Sequence, residues 1–265
     1  MEIRIINKHE KFLIKKCQEI AMENYLDNLV LLGDLFPPCI DLTNIFGLFS
    51  SKSNLLSFFV IFGGFKLPSI VLPVNQNEEH FTIIMKYLQE ILPNEFFFLS
   101  LELLEEDIKD FFKVSWISTD YCMIRDSKIE LKEIPSSSLV EARNIHIPKI
   151  DVFYKKNTSS PWHPKQFESG FYFFIEGENK IIACGGTHFE TPRLAQLGNI
   201  FVLEEYRGQH FGKILTTAIT RKVLEKKELA TLFVHHDNQV AINLYKKLGF
   251  QIYKKANLIF CKKNE

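Results

Sequence analysis

The pattern of apolar and polar residues along the chain predicts a mixed α/β protein. Helical spacing of apolar residues runs through residues 8–25, 80–92 and 103–112. Short runs rich in β-branched and aromatic residues predict strands between and after these helices. The strands are predicted at 55–62, 70–74, 96–101, 171–176, 180–186, 197–203, 229–235 and 251–261. The two strands that flank Gly63-Gly64 are typical of a hairpin.

A strand, a glycine-containing loop and a helix follow one another between residues 199 and 250. The apolar run 200–203 is typical of a buried strand, and the loop 207–212 leads into a helical pattern. The first N–H groups of a helix lack an internal partner, and the helix dipole favours negative charge there. Gly208 and Gly212 allow a ligand to approach the backbone closely. This stretch therefore predicts a binding site for an anion such as a phosphate.

Two sequence motifs lie in this stretch, one after the other. The first consists of Arg207, His210 and Gly212. The second reads Asn238-x-x-Ala241-x-x-Leu244-Tyr245-x-Lys247-x-Gly249-Phe250. With these motifs the chain resembles the GNAT superfamily of acyl-CoA-dependent N-acyltransferases, in which a glycine is usual at the position of His210. The resemblance covers roughly residues 165–253.

The resemblance also implies a domain organisation. The chain looks like the GNAT subgroup in which a degenerate GNAT-like half precedes the active one, so an α/β fold of tandem GNAT-like domains is expected. We expect a degenerate domain at 1–124 and a catalytic domain at 125–265. Residues 1–120 contain no loop similar to the one after residue 206, and Arg4 is their only arginine. The first half is therefore not expected to bind coenzyme A.

The cosubstrate that the resemblance implies is acetyl-CoA, without a metal ion. The residues that would bind it are Ile200, Phe201, Val202, Arg207, Gly208, Gln209, His210, Phe211, Gly212, Lys213, Asn238 and Tyr245. Backbone groups of 199–203 would contact the pantetheine arm and donate an N–H to the oxyanion. Asn238 also precedes an amphipathic run, as a helix N-cap does, and the two roles are compatible.

Tyr245 is the candidate that protonates the leaving thiolate. Acylation of an amine by a thioester requires a deprotonated amine, a stabilised oxyanion and a stabilised leaving thiolate. Helical spacing puts Tyr245 on the inward face of the helix after Asn238, and the family's matching tyrosine lies beside the thioester sulfur. The alternative is a tyrosine that only packs in the core.

The general base is left open by the sequence. Some relatives carry a glutamate where this chain has Gln196, and an amide side chain cannot act as a base. Glu190 and His188 are the catalytic candidates, with His163 or a chain of water molecules as further alternatives. His210 would add either bulk or a hydrogen-bond donor beside the pyrophosphate, or would simply face solvent.

Histidine and cysteine residues offer two other chemistries, and neither is favoured. His235 and His236 are neighbours in a predicted strand, so their side chains are expected on opposite faces and no metal site is predicted. Cys184 and Cys261 could act as nucleophiles in a covalent route. A buried free cysteine usually behaves as a small hydrophobic residue, and this interpretation is preferred.

Charge is distributed unevenly along the chain. Residues 1–120 contain 10 Lys and Arg against 17 Asp and Glu, whereas residues 121–265 contain 22 against 15. The half with the predicted anion site is thus the basic half, which suits a phosphate-rich cofactor. The positive charge is too diffuse to predict a nucleic-acid partner. The five cysteines form no close pairs, and no signal peptide or membrane span is recognised, so a cytoplasmic protein is expected.

The function that follows is acyl-CoA-dependent N-acyl transfer. We expect acetyl transfer to a primary amine of a small molecule or peptide, by direct attack in a ternary complex. One alternative is a non-catalytic CoA-binding or protein-interaction module on the same fold. Another is transfer from a longer acyl-CoA or from an aminoacyl-tRNA. The oligomeric state, monomer or homodimer, is left open.

Overall fold

The computed structural model describes residues 1–128, 130–132, 134, 136–158, 162–177 and 180–264. The chain divides into two compact units. Unit 1 comprises residues 1–120 together with 255–265, and unit 2 comprises residues 121–254. In the part of the chain that the structure describes, no helix is both long and apolar enough to cross a membrane.

Unit 1 is a mixed sheet with helices. Its elements are β1 (Glu2–Ile6), α1 (Lys11–Glu23), α2 (Leu29–Leu35), β2 (Thr43–Phe49), β3 (Leu55–Phe62), β4 (Ser69–Val71), α3 (Glu78–Ile91), β5 (Glu95–Ser100), α4 (Glu105–Ile108) and the first part of β6 (Phe112–Asp126). The strand order is β1-β2-β3-β4-β5. Neighbouring strands are antiparallel except β4 and β5, which are parallel.

The predicted hairpin around Gly63-Gly64 is confirmed, because β3 and β4 pair antiparallel with Phe62 opposite Ser69. The predicted helix at 103–112 is wrong over its second half. Helix α4 ends at Ile108, and Phe112 begins β6. The Phe112 side chain is fully buried, with its ring centroid 4.9 Å from that of Phe96, so core packing of the strand outweighs the local helical pattern.

Unit 2 is a second mixed sheet with helices. After the end of β6, its elements are β7 (Leu139–Glu141), α5 (Ile147–Asn157), α6 (Gln166–Ser169), β8 (Tyr172–Gly177), β9 (Lys180–Glu190), β10 (Leu194–Val202), α7 (Phe211–Leu224), β11 (Leu229–His235), α8 (Gln239–Lys247) and the start of β12 (Gln251–Lys263). The strand order is β11-β10-β9-β8-β7. The pair β10–β11 is parallel, and the pairs β10–β9, β9–β8 and β8–β7 are antiparallel.

The last strand differs from the predicted domain organisation. Residues Asn257 to Lys262 of β12 pair antiparallel with β5, so residues 255–265 belong to unit 1 rather than to the second half of the chain. Hydrogen bonds in a sheet can join strands that are distant in sequence. A single boundary near residue 124 cannot describe such a pairing, because it assigns every later residue to the second domain. The division into two functional domains at residue 124 stays a prediction.

A buried carboxyl group lies in helix α2 of unit 1. All seven residues of α2 are buried, and Asp34 is one of them. Removal of the Asp34 carboxyl from water raises its pKa from 3.8 to about 8. The folded protein therefore holds a proton on Asp34 over a pH range in which the unfolded chain releases it.

Asp34→Asn is expected to make thermal stability less dependent on pH. A folded pKa above the unfolded value means that stability is lost as the pH rises from about 4 to about 8, at up to about 1.4 kcal/mol per pH unit for this one group. The amide cannot ionise, so the variant should gain Tm over the wild type as the pH rises between 5 and 7.5. Thermal unfolding followed by circular dichroism over this range measures the difference. A difference in Tm that does not change with pH would contradict the raised pKa.

Candidate active site

The candidate site of unit 2 begins where two parallel strands separate. β10 and β11 pair over Leu194–Leu197 and Leu229–Leu232. Beyond Leu197 and Leu232 the two strands diverge and border a cavity of about 260 Å³. Its lining residues are Thr158, Leu197, Gly198, Asn199, Ile200, Phe201, Leu232, Phe233, Val234, His235, Asn238, Ala241 and Tyr245. We call this cavity the cleft.

A β-bulge in β10 forms one wall of the cleft. Gly198 pairs with Gly186 and Phe201 pairs with Cys184, so Asn199 and Ile200 together face the single residue Gly185. Asn199 adopts a left-handed backbone conformation with φ of 56°. A Cβ atom on Gly185 would lie 2.9 Å from Cγ1 of Ile200, so the close approach requires glycine. The pairing of β10 with β11 ends at Leu197 and Leu232, so beyond this point β10 can offer backbone N–H groups to a ligand in the cleft.

Helix α8 also lines the cleft, through Ala241 and Tyr245, and it carries the predicted phenol. Asn238 caps this helix, because its side chain accepts a hydrogen bond from the backbone N–H of Ala241 at 3.1 Å. Gly249 ends this helix in a left-handed conformation with φ of 85°, and the N–H of Phe250 donates to the carbonyl of Tyr245.

The Tyr245 side chain is 8% exposed and lines the cleft. Burial raises the pKa of Tyr245 to about 12, so the phenol is neutral at physiological pH. No described residue forms a hydrogen bond with its hydroxyl group. The hydroxyl can therefore donate to a ligand in the cleft.

A second cavity, of about 540 Å³, lies at the loop between β10 and α7. It is lined by Val202, Tyr206, Arg207, Gly208, His210, Phe211, Gly212, Lys213, Val240, Asn243, Leu244 and Lys247. Four of these residues are arginine, lysine or histidine. We call it the loop cavity, and its composition suits an anionic ligand.

The N-terminus of α7 leaves its first N–H groups for a ligand. The N-cap residue His210 has φ of 65° and makes no side-chain capping hydrogen bond. The left-handed conformation explains why a glycine is usual at this position, because β-carbons are unfavourable there. Gly208 also has a positive φ of 78°. A β-carbon on Gly212 would have its nearest neighbours at 3.7 Å, so the protein itself would tolerate a side chain at this position.

The structure distributes the predicted cofactor residues over these two cavities. Ile200, Phe201, Asn238 and Tyr245 line the cleft, and the loop residues from Arg207 to Lys213 line the loop cavity, with the exception of Gln209. Gln209 is exposed and lines neither cavity. Sequence reasoning missed Tyr206, Asn243 and Thr158, for which no motif position gave a signal.

The base candidates occupy different surroundings. A Cβ atom on Gly198 would lie 2.8 Å from Cγ of His188, so this imidazole lies against a residue that lines the cleft. Glu190 instead contacts Lys227 at 3.5 Å. Gln196 is buried, and His163 is exposed with its Nδ1 accepting from the N–H of Lys165.

His235 and His236 do not point to opposite faces of a strand, so the prediction from strand alternation is wrong. His235 ends β11, but His236 and Asp237 form a turn, so the two imidazole rings lie on the same side with centroids 4.7 Å apart. The ligand atoms of the three residues lie within 4.8 Å of one another. They are exposed and precede the N-terminus of α8, where the helix dipole disfavours a cation.

The cysteines are poor nucleophiles. Cys184 is fully buried in unit 2, and burial raises its pKa to about 12. Cys261 in unit 1 is also fully buried, with a pKa raised to about 12 by burial. Because the thiolate is the reactive species, a covalent route through either residue is disfavoured.

Unit 1 contains a cavity in the corresponding topological position. Its parallel strands β4 and β5 pair through Ile70 and Phe98, and a cavity of about 740 Å³ lies beside them. Five carboxylate side chains line it, and its lining, all in the described part of the chain, includes no lysine or arginine. The carboxylates belong to Glu78, Glu102, Glu106, Asp107 and Asp110. This surface repels phosphates.

Comparison with known proteins identifies the family of unit 2. Residues 141–250 match the family model described as acetyltransferase (GNAT) family. An uncharacterised N-acetyltransferase of Methanocaldococcus jannaschii is 31% identical, over 37% of this chain and 48% of that protein. A mycothiol acetyltransferase of Corynebacterium aurimucosum is 26% identical, over 36% of this chain and 40% of that protein. The matches thus span less than half the length of both relatives.

The fold similarity extends over nearly the whole chain. A tandem GNAT protein from the clavulanic acid biosynthesis pathway superimposes with a TM-score of 0.68 at 13% identity. The superposition covers 98% of this chain and 97% of that protein. The chain therefore contains a GNAT acetyltransferase domain at residues 141–250, and it has the fold of a tandem GNAT protein.

Proposed function

We propose that the protein transfers an acetyl group from acetyl-CoA to a primary amine of a small molecule or peptide. The observation that carries the proposal is the divergence of β10 and β11 at the bulge, next to a loop whose helix lacks a side-chain cap. In this arrangement the cleft takes the pantetheine arm and the thioester, and the loop cavity takes the pyrophosphate. The acidic cavity of unit 1 supports assigning coenzyme A to unit 2 alone.

The proposed reaction is a direct attack in a ternary complex. The amine nitrogen forms a bond to the thioester carbonyl carbon, and the C–S bond of acetyl-CoA breaks. Backbone N–H groups at the bulge stabilise the oxyanion. His188 takes the proton from the attacking amine, because it lies against Gly198 in the cleft wall, whereas Glu190 contacts Lys227.

Tyr245 stabilises the departing thiolate in this mechanism. Its phenol lines the cleft from the α8 side and is neutral, with a pKa of about 12. A neutral phenol donates a hydrogen bond to the sulfur as negative charge develops, and Tyr245 then gives its proton to the thiolate. Tyr245 regains a proton from solvent, and His188 releases the amine proton to solvent. The amide and free coenzyme A are the products. The reaction uses no metal, and we place it in the cytoplasm.

The double variant Arg207→Ala/Gly212→Asp is expected to lose acetyl-CoA binding while it stays folded. A ligand that binds only the folded protein raises its Tm, so acetyl-CoA should stabilise the wild type. At position 212 a β-carbon meets only ordinary contacts at 3.7 Å, and an aspartate in the first turn of α7 suits the helix dipole. Its carboxylate would repel the pyrophosphate. Thermal shift with and without acetyl-CoA measures the loss.

The matched control is Arg193→Ala, which removes a positive charge elsewhere in unit 2. Arg193 pairs with Glu228 at 2.6 Å and lines neither the cleft nor the loop cavity. This variant should keep the acetyl-CoA-dependent Tm shift. An equal shift in the double variant and the wild type would overturn the assignment of the loop. A shift without turnover on any amine would favour the non-catalytic CoA-binding module.

Tyr245→Phe is expected to lower kcat by about 10²–10⁴-fold, the usual contribution of general acid–base catalysis. The change removes one hydroxyl group and keeps the ring, so packing against Phe250 is retained. Acetyl-CoA affinity should change little, because the phosphates are bound at the loop. The measurements are steady-state kinetics with acetyl-CoA and separate titration of acetyl-CoA.

Because the pKa of Tyr245 is about 12, its ionisation should produce no fall in wild-type kcat up to about pH 10. Normal turnover in Tyr245→Phe would leave this residue as a packing tyrosine.

His188→Gln is expected to lower kcat more than Glu190→Gln. Glutamine retains hydrogen bonding and similar bulk but cannot accept the amine proton, so the loss should be about 10²-fold or more if His188 is the base. Glu190→Gln breaks the contact with Lys227 and serves as the matched control. Both variants are assayed over a range of pH with the same amine. The reverse order of the two losses would assign the base to Glu190.

A further inference from the structure

Buried side chains form hydrogen bonds with the backbone carbonyl and the side-chain NH2 group of Asn199. The hydroxyl of Tyr154 donates to the Asn199 carbonyl at 2.7 Å. The Asn199 side-chain amide donates to Oε1 of Gln166 and to the hydroxyl of Tyr172, both at 2.9 Å. Tyr154, Tyr172 and Gln166 are each at most 5% exposed. The bulge residue with the left-handed conformation is thus fixed by three buried partners.

These hydrogen bonds stabilise a strand conformation that is unfavourable by itself. A non-glycine residue with positive φ is strained, although asparagine tolerates it better than most residues. If Asn199 returned to an extended conformation, the extra residue would no longer fit opposite Gly185, and the register of Ile200 and Phe201 would shift. A one-residue shift turns each backbone and side-chain group to the other face of the strand. The cleft wall therefore depends on the conformation of Asn199.

Tyr154 itself packs among aromatic rings. It belongs to α5, and the indole of Trp162 stacks on its ring at a centroid distance of 5.0 Å. The neighbouring Phe153 packs edge-to-face on Phe201, which lies in the cleft wall, at 5.9 Å. Helix α5 therefore contacts the bulge on both sides of Ile200, through one hydrogen bond and one ring contact.

We propose that Tyr154 is a positioning residue for acyl transfer, which holds the β10 bulge so that its backbone N–H groups meet the thioester oxygen. This inference rests on the proposed acetyl transfer in the cleft. Tyr154 does not line the cleft and acts through the carbonyl of Asn199. Its hydroxyl orients the strand, whereas Tyr245 meets the leaving group.

The kinetic test compares Tyr154→Phe with Tyr121→Phe. Tyr121 packs partly buried against the same core as Tyr154 and lines neither cavity of unit 2, so its variant controls for the loss of a phenolic hydroxyl in this unit. Loss of one buried hydrogen bond that acts on the transition state should lower kcat about tenfold in Tyr154→Phe. The Tm shift produced by acetyl-CoA should stay close to that of the wild type. Tyr121→Phe should keep normal kcat.

A structural readout that needs no activity is amide hydrogen exchange in residues 197–202. Exchange reports local opening, so these amides should exchange faster in Tyr154→Phe than in Tyr121→Phe, while those of α7 do not change. Should Tyr154→Phe fail to fold, Tyr172→Phe removes one of the two acceptors of the Asn199 amide and should give a smaller effect in the same direction.

The two measurements separate this inference from the proposed function. Unchanged exchange at 197–202 in Tyr154→Phe would overturn the inference, whatever the activity. Faster exchange with unchanged kcat would show that the bulge does not govern the chemical step and would overturn it as well. If the wild type had no transferase activity, the proposed function and the catalytic role of Tyr154 would both be overturned. Amide exchange would still decide whether Tyr154 holds the bulge. Faster exchange together with lower kcat and normal acetyl-CoA binding supports the inference.

Discussion

The separation of β10 and β11 beyond Leu197 and Leu232 is the constraint on which the candidate site depends. Two parallel strands that stayed paired would leave no room for a ligand between them. The bulge at Asn199 ends the regular register, and Gly185 permits it because no β-carbon stands against Ile200. Helix α8 then lines the opened cleft from the other side, and the loop after β10 begins where the cleft ends.

The two units have similar topology. They differ in the groups that surround the N-terminus of the helix after the first of the two parallel strands, which is α3 in unit 1 and α7 in unit 2. In unit 1 the side chain of Asn77 accepts hydrogen bonds from the N–H groups of Glu79 and His80, and the first turn of α3 contains two glutamates. Side chains of the protein thus pair with the first N–H groups of α3 and offset the positive end of its dipole. In unit 2 the cap residue His210 makes no such bond, so the positive end of α7 is available to an anion.

Local features of the site could be predicted from the sequence, and features that depend on distant pairing could not. The cap at Asn238, the turn at Gly249 and the inward direction of Tyr245 follow from spacing within one helix. The bulge depends on the register between β10 and β9, and the bonds to Asn199 come from residues that are 27 to 45 positions away. The same limitation explains the last strand, whose partner β5 lies in the other half of the sequence.

The proposed chemistry assigns the two proton transfers to different elements, β9 with His188 and α8 with Tyr245. His188 lies against Gly198 on the β9–β10 side, whereas Tyr245 lies on α8. In this proposal the amine therefore leaves its proton on His188, and the thiolate departs towards Tyr245. No carboxylate lines the cleft, as far as the described residues define it, so neither the oxyanion nor the thiolate meets a repulsive charge there. A neutral phenol suits this environment better than a charged acid, because its pKa of about 12 keeps it protonated until the C–S bond breaks.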